Sequence, residues 1–191
     1  MDNKSDLSYI QQYAYDLSEL INSIDTKQIE LISNTLHTAC QNQKNIFCIG
    51  NGGSAATSSH FATDLSWGRG KESQDRPKAV SLTTNTSILT ALSNDIGYEQ
   101  VFSEQLRTFL EEGDVVFAIS ASGNSPNIVE AVEFANYNGG ITIGLVGFDG
   151  GNMKSICQQC IHIQTPVGSY ELVEDVHHAI CHMLSTYTRQ L

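Results

Sequence analysis

His60 and Asp64 stand four residues apart, which places both side chains on one face of a helix. Near the C-terminus Glu174, His178 and His182 recur at i, i+4 and i+8, and Asp175, His178 and His182 at i, i+3 and i+7. A helix face carrying carboxylates and imidazoles can bind a divalent metal or shuttle protons. The competing reading for His177 and His178 is a polar helix surface or a subunit contact. For His60 alone it is a core histidine with a satisfied hydrogen bond.

Two turns rich in Gly and Ser offer a second kind of chemistry. They are Gly50-Asn51-Gly52-Gly53-Ser54 and Ser120-Ala121-Ser122-Gly123-Asn124-Ser125. Each follows a short apolar run and precedes a stretch with helical patterning. A strand, a glycine-bearing turn and a helix N-terminus together make an anion site, because free N–H groups point outward and the helix dipole favours negative charge. The hydroxyls of Ser54, Ser120, Ser122 and Ser125 add donors. Two such turns in one small domain point to a phosphorylated ligand. The alternative is a pair of ordinary tight connections.

The elements that must position these groups alternate. Strands are predicted at 46–49, 79–83, 115–119, 141–146 and 161–164, short and apolar enough to be buried on both faces. Helices are predicted at 54–67, 87–93, 98–110, 125–137, 151–157 and 169–189. Ahead of them, residues 5–43 read as a helical hairpin, its second helix starting at an Asp25/Gln28 capping box. Repeated βα units imply a parallel sheet with helices on both faces and ligands outside the carboxyl ends of the strands. Both glycine turns fall there.

Composition narrows the function. The chain has 191 residues, enough for one domain, with 40% hydrophobic and 16% charged residues. No apolar run approaches the ~18 residues of a membrane span, and Met1-Asp2-Asn3-Lys4-Ser5-Asp6 does not read as a secretory signal, so a cytoplasmic protein is expected. A net charge of −11 with only 10 Lys plus Arg argues against nucleic-acid binding. Five cysteines, an odd number, argue against a disulfide framework. Cys157 and Cys160 have metal-ligand spacing without a matching second pair, so burial as small soft side chains is the better reading.

Taken together, the Gly50–Ala56 turn, His60-Phe61-Ala62, Asn94-Asp95, the Ser120–Ser125 turn and the acidic/His C-terminal helix resemble the SIS sugar-isomerase family, specifically its phosphoheptose isomerases. The likeness covers nearly the whole chain. It implies one α/β SIS domain over 1–191, with a doubly wound parallel five-stranded sheet flanked by helices. Residues 1–44 would form an N-terminal helical hairpin, and 45–191 the core with its C-terminal helix. It implies an aldose–ketose isomerase acting on a sugar phosphate between subunits of a homotetramer, with one zinc ion per subunit. Substrate-binding residues carried over by position are Asn51, Gly52, Gly53, Ser54, Asn94, Asp95, Ser120, Ser122, Ser125 and Glu174. The metal set would be His60, Asp64, Glu174 and His182, with Asp64 the base and His182 the second acid–base group.

Three departures stand out. Asp64 occupies a position that is Glu in better-known members, Glu174 one that is Gln, and Ala121 one that is Thr. Rival implications are an isomerase for another phosphosugar and a non-enzymatic SIS adaptor that binds a replication initiator. A sugar-phosphate-sensing regulator would carry a basic DNA-binding segment, which this chain lacks. The adaptor lacks a histidine matching His182.

Overall fold

The computed structural model describes residues 8–68 and 76–191. The start of the expected hairpin, residues 5–7, and the N-terminal residues read for targeting lie outside the described residues. Two helices come first, α1 (Tyr9–Asn22) and α2 (Thr26–Gln41). The reciprocal capping box belongs to Ser8 and Gln11 at α1, whereas Asp25 only accepts from the Lys27 N–H. The Asp25/Gln28 box expected from sequence is therefore absent, because the Asp25 carboxylate is already engaged two residues on.

The βα repeat follows: β1 (Asn45–Gly50), α3 (Gly52–Trp67), β2 (Lys78–Ser81), α4 (Thr86–Asp95), a 3-10 turn (Tyr98–Gln100), α5 (Ser103–Phe109), β3 (Val115–Ser120), α6 (Pro126–Tyr137), β4 (Ile141–Val146), α7 (Met153–Ile156), β5 (Gln159–His162) and α8 (Tyr170–Thr188). All strand pairings are parallel, in the order β2-β1-β3-β4-β5. The expected helix at 98–110 is divided: a 3-10 turn precedes α5, with Phe102 buried at the joint. The expected 151–157 helix is a single turn, since Gly150 and Gly151 both take positive φ before it. β5 lies two residues earlier than expected. The expectation of strands buried on both faces holds for the three central ones. It fails at β2 and β5, which form the sheet edges and are partly exposed.

Two apolar layers clamp the sheet. On one face Ile32, Leu36, Phe61, Leu65, Val176, Ile180 and Leu184 bring α2, α3 and α8 onto Ile46, Phe117 and Ile143. On the other, Phe102, Leu106, Ile128 and Val132 cover Phe47, Ile49 and Val116. The alternation of side chains along each strand divides these layers. α3 and α8 share the first layer, which sets their polar edges side by side at the carboxyl end of the sheet. The expected sulfur pair is partly buried: the Cys157 and Cys160 thiols flank Gly144, and burial pushes them up to about 12 and about 11.

Candidate active site

The chain runs from β1 outward to β2, then returns past β1 to β3. That reversal is the switch point at which an open parallel sheet leaves a crevice. Both Gly/Ser turns sit there, since Gly50 pairs with Ile119 in register. Asn51 is the N-cap of α3, but its side chain does not cap the helix. Its amide exchanges two hydrogen bonds with Asn127 of α6, Nδ2 to Oδ1 at 2.8 Å and Oδ1 from Nδ2 at 2.9 Å. The Tyr98 hydroxyl donates to the same Asn51 Oδ1 at 2.8 Å. This network locks the two turns together and leaves the first N–H groups of α3 without a side-chain cap.

The crevice is a cavity of about 130 Å³ lined by Asn51, Ser54, Ser120, Ala121, Ser122, Ser125, Tyr170 and Glu174. Its serine turn is tightly built. Ser120 Oγ accepts from the Gly123 N–H at 3.1 Å, and Ser122 Oγ accepts from the Asn124 N–H at 3.2 Å. The Ser120 and Ser125 hydroxyls lie 3.4 Å apart, either able to donate to the other, and the Ser122 hydroxyl hydrogen stays available to an anion. Gly123 has φ +63°, and a Cβ there would overlap the Gly150 carbonyl. Ala121 packs with Phe148 and Val173 and brings no hydroxyl to the lining of the crevice.

Glu174 enters the same cavity. Its carboxylate lies over Gly53, where any Cβ would collide with it. A carboxylate at the N-terminus of α3 is favoured by the helix dipole. That accounts physically for an acid in a pocket otherwise built of anion donors.

Two helical turns further along α8, about 12 Å by the rise of eight residues, His182 meets α3. His60 Nε2 and His182 Nε2 are 3.1 Å apart. Asp64 Oδ2 is 3.4 Å from the first and 3.6 Å from the second. His178 joins from one turn back, its ring centroid 4.7 Å from His60 and 4.6 Å from His182. Burial, then the neighbouring imidazoles, push its pKa down. Among the described residues, His60, His178 and His182 form the one group of three metal-ligating side chains whose donor atoms all lie within 4.8 Å. Neither Asp64 nor Glu174 is in it.

The structure thus brings together eleven of the sequence-selected residues: Asn51, Ser54, Ser120, Ser122, Ser125 and Glu174 line the cavity, Gly52 and Gly53 open α3 beside it, and His60, Asp64 and His182 meet in the cluster. Asn94 and Asp95 are not part of it. They are exposed at the end of α4, where Asn94 Nδ2 donates to Asp95 Oδ1 at 2.8 Å. Sequence reasoning did not select Asn127, Tyr98 or Tyr170. A polar residue directly after Ser125-Pro126 was the one local signal for Asn127.

His177, next to His178, faces the opposite way. It is 1% exposed, and neither ring nitrogen has a hydrogen-bond partner. Burial, opposed by the nearby Val146 backbone, pushes its pKa from 6.5 down to about 4. The unfolded chain therefore binds the proton more readily, and stability falls as pH drops through the window from 6.5 to 4. Between pH 7 and pH 5 the expected loss from this residue is about 2 kcal/mol. Urea unfolding at both values, compared with His177→Phe, checks it: the variant should lose that much less.

Comparison with known proteins gives the class first. Residues 8–147 match the SIS domain family. A phosphoheptose isomerase of Geobacter metallireducens is 40% identical over 83% of this chain and 82% of its own. One of Aliarcobacter butzleri is 36% identical over 92% and 94%. The solved phosphoheptose isomerase of Neisseria gonorrhoeae superposes with a TM-score of 0.83 at 31% identity, covering 93% of both chains. With a phosphate-type crevice and a His/carboxylate cluster on the same helix, this chain belongs to the SIS-domain family. Within it, the chain is a phosphosugar isomerase of the phosphoheptose isomerase branch.

Proposed function

We propose that this chain interconverts sedoheptulose 7-phosphate and D-glycero-D-manno-heptose 7-phosphate through an enediolate, as a cytoplasmic enzyme supplying heptose for surface glycans. The observation that carries this reading is the single helix α8, which lines the donor-rich crevice with Glu174 and the proton-handling cluster with His182. A phosphate held by Ser120, Ser122 and Ser125 leaves the carbonyl end of an extended sugar to reach toward His60, Asp64 and His182.

Asp64 takes the proton from C1 of the ketose on the carboxylate oxygen turned away from the histidines, and the C1–H electron pair forms the C1–C2 double bond of the enediolate. Asp64 then returns the proton at C2. With its Nε2 released from any ion, His182 moves the proton between the two oxygens, leaving an aldehyde at C1 and a hydroxyl at C2. Asn51, fixed by Asn127 and Tyr98, and the N–H groups of α3 orient the sugar phosphate. Enclosure must exclude water, which would protonate the enediolate from solvent.

His60, Asp64 and His182 fit a divalent ion such as zinc. Their donor atoms stand 3.1, 3.4 and 3.6 Å apart, against about 3.3 Å between ligands of a tetrahedral zinc with bonds of about 2.0–2.1 Å. When bound, such an ion supplies the positive charge that stabilises oxyanions developing on the substrate.

A homotetramer is part of this reading. α1 has no buried residue and exposes Tyr9 and Ile10. A cavity of about 570 Å³ between α1, α2 and α8 is lined largely by apolar side chains. Asn94 and Asp95 reach no site of their own chain, which suits a contribution to a neighbouring one. A different phosphosugar is the second reading, favoured by the extra carboxylate of Glu174 in the crevice.

Incubation with sedoheptulose 7-phosphate should yield the aldose, with turnover lost on chelation and restored by zinc. Turnover indifferent to chelation would remove the ion from the reading. No turnover by folded protein would move it to the other phosphosugar.

A further inference from the structure

The cluster between α3 and α8 contains three imidazoles rather than two. His178 lies one helical turn before His182 and is half-buried, its ring tilted against both His60 and His182. One ligating atom from each of the three falls within 4.8 Å of the others. Glu174, the acidic member of the set implied by resemblance, is held elsewhere. Its carboxylate lies against the backbone of Gly53, at the N-terminus of α3, and lines the crevice. To ligate, it would have to leave a site that the helix dipole stabilises.

Resting on the metal reading of the same site, we propose that His178 is a metal ligand of this chain, joining His60, Asp64 and His182, while Glu174 stays a crevice residue and does not ligate. The donor chemistry agrees. Three imidazoles and one carboxylate make a nitrogen-rich set suited to zinc. They place one negative charge beside the ion, where the set with Glu174 places two. The closure required is small. The three imidazole donors, within 4.8 Å of one another, need to reach about 3.3 Å by rotation of the half-buried His178 ring, while Asp64, outside that group, already stands 3.4 Å from His60 and 3.6 Å from His182. Glu174 is thereby left free to accept hydrogen bonds from sugar hydroxyls. The carboxylate at that place then acts on substrate choice rather than on metal retention.

The test is metal binding by the full-length chain without substrate. Zinc affinity is read by competition with a chromophoric chelator, and coordination by the visible absorption of bound cobalt(II). His178→Ala should weaken zinc on the order of 100-fold, no less than loss of an outer-shell partner costs, and should change the cobalt spectrum. His178→Phe keeps a ring packed on His60 and His182 and should show the same loss, which separates ligation from folding. Glu174→Gln should leave affinity and spectrum as in the parent. Parent-like binding by both His178 variants, weakened binding by Glu174→Gln, or a parent chain that takes up neither metal would each overturn the proposal. Failure of the sugar reaction is distinguishable. A parent that binds zinc with this pattern but does not isomerise sedoheptulose 7-phosphate retains the ligand assignment and loses the substrate. One that isomerises without the pattern does the reverse.

Discussion

Asp64→Asn should lower isomerase turnover by about 10³-fold, the scale of losing a positioned general base, while KM changes little. The substitution is isosteric, so the position next to His60 and His182 is kept. What is lost is the ability to take a proton from carbon. The carboxylate lies 3.4 Å from His60 Nε2 and 3.6 Å from His182 Nε2, so its amide can still hydrogen-bond to either ring. A loss confined to kcat marks an interaction made in the transition state. Steady-state kinetics with saturating zinc is the measurement, and zinc affinity of the variant accompanies it. A variant that turns over like the parent would end the assignment of Asp64 as base. A variant that recovers fully when zinc is raised would make Asp64 a ligand only.

Phe61→Ala is the substitution with the largest expected effect on stability, about 3–5 kcal/mol. Phe61 is fully buried on the inner side of α3, its ring 4.7 Å from that of Phe117 on β3. It follows His60 directly. The pair therefore joins the helix that carries His60 and Asp64 to the strand that ends in the serine turn. Removal of the ring leaves a cavity between them that a close-packed sheet-helix layer can only partly fill. Melting should fall by roughly 10 °C, given about 2–4 °C per kcal/mol for a chain of this length. Phe61→Leu fills most of the space and should cost less than half as much. Urea unfolding gives the energies. Equal stability of Phe61→Ala and the parent would mean that this contact does not hold α3 to the sheet.

Local pattern carried far in this chain. The glycine turn after an apolar run required a strand, a tight turn and a helix, and β1, Asn51 and α3 follow in that order. The i, i+4 and i+8 spacing of Glu174, His178 and His182 put them on one face of α8, where the structure finds them. The boundaries that failed were governed by single residues with nonlocal or backbone causes: Gly150 and Gly151 shorten α7, and the burial of Phe102 divides the stretch before β3.

The sequence by itself determined the βα repeat, the carboxyl-end placement of both turns and the candidate faces of α3 and α8. These depend on periodicity and turn chemistry within a few residues. Only the tertiary structure decided which carboxylate goes to which site. Glu174 shares a helix face with His178 and His182, yet its carboxylate is taken by the uncapped N-terminus of α3 at Gly53. Asp64 meets His182 across the helix pair instead. His60 and His182 are 122 residues apart in the chain. Their contact exists because α3 and α8 bury their apolar faces in the same layer over Phe117 and Ile143, a long-range packing outcome that no local spacing encodes.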